Sequence, residues 1–78
     1  MRAEQIHGFR DLMLGTLEIY GAATTVNALR IWWDVLKPYE LDDVRTAFMA
    51  HIATSQTAPM PAEILRILTS QGGGHEPF

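Results

Sequence analysis

The sequence predicts an all-α domain, and three features carry that reading. Apolar residues recur at intervals of three and four over four successive stretches, no stretch alternates apolar and polar residues as a strand would, and glycine, proline and threonine stand between the stretches. With 78 residues the chain holds one domain, expected over residues 1–70, because a chain this short builds a single modest core. Apolar residues make up 47% and charged residues 19%, a globular balance with too few charges for a disordered chain. The expected architecture is a small bundle of three main helices plus a short C-terminal fourth, followed by a mobile tail over residues 71–78.

The first helix is expected over residues 2–20, with Ile6, Phe9, Met13, Leu17 and Tyr20 on one stripe and Glu4, His7, Arg10, Asp11 and Glu18 on the solvated side. Gly8 borders the flank of Leu12 and Ile19, where a close neighbour would account for it, whereas Gly15 lies on the polar side. Gly21 is a natural left-handed terminator, and either Thr24 or Thr25 can cap the next helix through its hydroxyl. That second helix runs to Lys37, where Pro38 disfavours further helical geometry. Its face holds Val26, Leu29, Trp33 and Leu36, while Ala28, Ile31, Trp32 and Val35 widen the apolar arc and leave Asn27, Arg30, Asp34 and Lys37 as a narrow polar strip.

Glu40 and Asp43 approximate a capping box for the third helix, with Tyr39 and Val44 as a hydrophobic staple and Asp42 and Asp43 at the positive end of the helix dipole. The expected stripe is Leu41, Val44, Phe48 and Ile52, edged by Ala47 and His51. A polar connection over residues 55–60 then leads to Pro61 at a first helical position, and the fourth helix presents Ile64, Leu65, Ile67 and Leu68 before Gly72, Gly73 and Gly74 end it.

Reactive chemistry is hard to place on this frame. The chain contains no cysteine, which removes disulfides, thiolate metal sites and thiol catalysis and makes a reducing cytoplasm the default compartment. The N-terminal stretch reads as part of an amphipathic helix and not as an export signal, and no apolar run approaches a membrane span. Glu4 and His7 have the spacing of a carboxylate–imidazole pair, but a di-metal site needs a second copy and further carboxylates, so they read as a surface pair. His51 reads by default as a hydrogen-bonded structural histidine, with a ligand or proton-switch role as the alternative. No catalytic residues, metal or cofactor are expected, and the domain reads as noncatalytic.

Binding is the remaining class. Six Lys and Arg against nine Asp and Glu leave a net charge of −3, which makes nucleic-acid binding weak or indirect at most. A helix-turn-helix reading would turn Glu40, Asp42 and Asp43 toward phosphates, and Asp34 sits between Arg30 and Lys37 within salt-bridge reach. Adjacent helical residues point about 100° apart, so Trp32 and Trp33 cannot both lie at the centre of one seam. One of them is packed under the fourth helix or serves as an anchor for a partner or a second copy of the chain.

The run Trp33-Asp34-Val35-Leu36-Lys37-Pro38-Tyr39-Glu40-Leu41-Asp42-Asp43-Val44, then Ala47-Phe48, Ala50-His51 and Pro59-Met60-Pro61-Ala62-Glu63-Ile64, resembles the small phage and prophage loader/inhibitor proteins of the replicative helicase. The likeness covers about residues 12–68 and consists of packing and capping positions. It implies a small helical protein that binds the hexameric replicative helicase, holds it inactive in solution and helps deliver it to a phage origin alongside an initiator. It also implies that the helicase contact comes largely from a segment beyond the helical domain, which directs attention to Gly72, Gly73, Gly74 and His75. With these stand Trp32, Trp33, Arg30 and Lys37 as candidate partner-binding residues. The alternatives are a helix-turn-helix DNA-binding regulator and a homodimeric accessory protein.

Overall fold

A computed structural model describes residues 1–71, and these are all-α: a 3-10 turn at Ala3–Gln5 leads into α1 (Ile6–Ile19), α2 (Val26–Leu36), α3 (Leu41–Thr54) and α4 (Pro61–Gln71). The expected mobile tail, with Gly72, Gly73, Gly74 and His75, lies outside the described residues. No helix among the described residues is long and apolar enough to cross a membrane.

The boundaries follow from local chemistry. α1 ends in a Schellman motif: the amide of Gly21 donates to Glu18 O at 3.0 Å and that of Ala22 to Leu17 O at 2.8 Å. Gly21 takes φ +67°, the left-handed region that a Cβ would strain. Thr25, not Thr24, caps α2, its hydroxyl accepting from the Ala28 amide at 3.0 Å. α2 stops at Leu36, one residue ahead of Lys37 and Pro38. The amino group of Met1 donates to the carbonyls of Lys37 and Tyr39, the latter at 2.6 Å, bringing positive charge to the negative end of α2 and fastening the start of α1 there.

Two of the expected starts differ in detail. The first helix tightens into the 3-10 turn, where Gln5 Oε1 accepts from the Arg2 amide at 2.9 Å. Glu40 does sit at the N-cap of α3 in extended geometry, yet its side chain makes no capping hydrogen bond. Glutamate is one methylene longer than the aspartate that suits this position, and the cap rests on the backbone, with Val44 N donating to Glu40 O at 3.0 Å. Half of a capping box forms at α4, as it does at the 3-10 turn: Glu63 Oε1 accepts from the Met60 amide at 2.9 Å, with Pro61 in the first helical position.

The core gathers Phe9, Met13 and Leu17 of α1, Trp32 and Leu36 of α2, Val44, Ala47 and Phe48 of α3, and Ile64 and Leu68 of α4. α3 and α4 form the most extensive helix pair, and α1 packs on both α3 and α2. Gly8 is explained by that packing, since a Cβ there would lie 3.1 Å from Leu41 Cδ2. The buried line of α3 is rotated from the expected stripe: Val44, Ala47, Phe48 and His51 are buried, while Leu41 and Ile52 are half-buried. The rotation turns α3 toward the 55–60 segment. His51, 4% exposed, donates through Nε2 to Thr57 O at 2.8 Å, and Tyr20 Oη donates to Ser55 O at 2.9 Å. With Pro59 buried as well, the connection is tied to the bundle at three points. His51 is thus the hydrogen-bonded structural histidine of the default reading.

Candidate functional site: an arginine-flanked groove between two helices

The tryptophan pair divides the inside of the bundle from its outside. Their roughly 100° separation sends Trp32 inward, where it is 7% exposed and packs on Phe48 with ring centroids 5.6 Å apart. As a partner anchor Trp32 is therefore corrected: its indole fills the core and presents almost nothing to a second molecule. Trp33, expected on the centre of the helix face, instead stands half-buried at the seam with α1, edge-on to Phe9 at 5.4 Å. One side of the ring is held by this T-shaped contact, whose electrostatics favour the indole at a fixed angle.

The other side lines a groove of about 360 Å³ between α1 and α2, formed by Ile6, Arg10, Val26, Leu29, Arg30 and Trp33. Each helix supplies the same motif to it. On α1, Arg10 lies one turn beyond Ile6; on α2, Arg30 lies one turn beyond Val26. Both apolar residues were expected to face the core, and both stand out from it, Ile6 at 42% and Val26 at 72% exposure. They belong to the opening turns of their helices, where neighbouring elements no longer cover the stripe.

The charges around this groove are distributed unevenly. Lys37 Nζ lies 3.7 Å from Asp34 Oδ1, and Arg2 Nη1 lies 4.0 Å from Glu4 Oε1, all four side chains being largely solvated. Arg10 and Arg30 have no ion-pair partner among the described residues. Lys37, a candidate by sequence, is thus held by its neighbour Asp34 and does not line the groove, whereas Arg30 does. Gly72, Gly73, Gly74 and His75 lie outside the described residues. Arg10, Ile6, Val26 and Leu29 were not among the sequence candidates. The signal that could have found them is the repeated apolar-then-arginine step of four residues at the start of the first and second helices.

The lining side chains offer apolar surface, an indole and two guanidiniums. Guanidinium and indole N–H groups donate hydrogen bonds and accept none, so this set can hold an anionic and apolar ligand but brings no base to bear on it. Among the described residues no group of three or more His, Asp or Glu gathers to hold a metal ion; Glu4 and His7 are both exposed, and Glu4 lies against Arg2. Compared with known proteins, the chain matches no family model, no curated sequence and no solved structure.

Proposed function

We propose that the chain is a noncatalytic, cytoplasmic protein-docking domain of phage or prophage DNA replication, of the helicase loader/inhibitor kind, and that the α1–α2 groove grips the replicative helicase. The observation that carries this reading is the groove: an apolar floor left open beside a well-filled core, with an indole already fixed in its wall. Aromatic side chains held in this way lose little further freedom on binding, which makes them effective interface anchors. The packing and capping pattern over residues 33–64 adds the likeness to helicase loader/inhibitor proteins and, with it, the partner.

The test is co-elution of the purified chain with a hexameric replicative helicase, followed at low and at high salt. Complex formation that survives high salt is expected, because an apolar interface does not depend on counterion release. Val26→Glu, which places a carboxylate on the groove floor at an exposed site, is expected to abolish co-elution while leaving the helical circular dichroism unchanged. A wild-type chain that elutes apart from the helicase under all conditions overturns the reading. One observation favours a DNA-binding alternative, the two arginines of the groove, Arg10 and Arg30, which have no ion-pair partner among the described residues. Affinity for duplex DNA that falls steeply with ionic strength would select it. The acidic first turn of α3, with Asp42 and Asp43, opposes that choice.

A further inference from the structure

The groove also carries information about the shape and charge of what fills it. We propose that its occupant is an amphipathic α-helix of the partner protein, bearing carboxylates along the edges of an apolar stripe. This rests on the docking reading above and specifies the chemistry of the segment that docks.

The charge argument comes from the neighbours. Glu4 and Asp34 are the acids that pair with basic side chains on this part of the molecule, and they pair with Arg2 and Lys37. Arg10 and Arg30 are left on opposite walls of an apolar floor, one on α1 and one on α2, with no ion-pair partner among the described residues. The complement of two guanidiniums flanking apolar surface is a segment with carboxylates flanking apolar side chains. Guanidinium binds carboxylate bidentately, so each arginine fixes direction as well as charge. On a protein of net charge −3 this is a local reversal of sign, which selects an acidic segment against the basic partners that the rest of the surface would attract.

The shape argument comes from the walls. The groove lies between two helices, and the described residues include no strand whose edge an extended peptide could join. A third helix fits such a seam by laying its ridge of apolar residues, spaced three and four apart, between the two existing ones. Its stripe would rest on Ile6, Val26, Leu29 and Trp33, and its flanks would face Arg10 and Arg30.

Two synthetic helical peptides test this, identical in a leucine stripe and differing only in glutamate or lysine along both flanks. Binding is read by calorimetry and located by shifts of the Trp33 indole resonance. The glutamate peptide is expected to bind about tenfold or more tightly than its lysine twin, as loss of two charge pairs and gain of two repulsions would produce. The doubly reversed Arg10→Glu, Arg30→Glu chain, altered only at exposed positions, is expected to keep its circular dichroism and invert that preference. Equal binding of the two peptides, binding of neither, or an unchanged preference in the reversed chain overturns the proposal. If Val26→Glu abolishes helicase co-elution while the double reversal leaves it intact, the acidic-helix inference falls and the docking reading stands. If the peptides behave as expected but helicase never co-elutes, the inference stands and the helicase reading falls.

Discussion

The two sides of this small bundle treat apolar surface in opposite ways. Where α3 meets α4, Val44, Ala47, Phe48, Ile64 and Leu68 are excluded from water, and the connection between the helices is pinned by His51 and Tyr20. Where α1 meets α2, Ile6 and Val26 stand in solvent, Trp33 is half covered and two arginines rim an open groove. The lesson is one of division of labour along the helices: all four supply the one core, and the opening turns of α1 and α2 leave apolar surface that is available for a second molecule.

That contrast can be broken first at its strongest point. Phe48 is fully buried and in ring contact with Trp32, so Phe48→Ala is expected to destabilise the domain by about 3–5 kcal/mol, read from thermal or denaturant unfolding. Val26→Glu, on the open side, is expected to stay within about 0.5 kcal/mol of the parent. Comparable losses from the two changes would show that both seams are equally part of the core. The next largest effect belongs to the pinned connection. His51→Ala removes the shorter of the two hydrogen bonds to Thr57 O, leaving that from Ser55 Oγ at 3.5 Å, and opens a buried site, with an expected loss of about 1–3 kcal/mol. The same change is expected to speed hydrogen exchange and proteolysis around residues 55–60 ahead of the rest of the chain; uniform change across the bundle would contradict the tie.

The smallest effect has the opposite sign. Gly15 is exposed within α1 and a Cβ there meets nothing within 4 Å, so Gly15→Ala is expected to stabilise by about 0.5–1 kcal/mol. Gly21→Ala is expected to destabilise, because the alanine would inherit φ +67°. A melting temperature that fell for Gly15→Ala would contradict the open space found at that face of α1.

Much of this architecture was legible before any coordinates, and the reason is local. Gly21, Pro38 and Pro61 act on the backbone within a few residues of themselves, and all three stand where helices end or begin. The threonine step before the second helix was legible as well, although two candidates were open and the hydrogen bond chose Thr25. Glu40 shows the limit of such rules: its position was right, and a side chain one methylene too long left the capping bond unmade. The candidate site was legible only in part. Trp33 and Arg30 line the groove, while Arg10, Ile6 and Val26 escaped notice because periodicity had filed them as solvated or core positions on single helices.

The amino-acid order alone therefore determined that the chain is helical, where its helices turn and which residues share a face, since each of these depends on neighbours within a turn or two. Tertiary packing decided which of two adjacent indoles went inward, turned α3 so that His51 reached Thr57, and left the opening turns of α1 and α2 uncovered. Angular position on a helix states which way a side chain points. Whether it meets another helix there or meets water depends on residues distant in the chain, and only the assembled bundle brings those together.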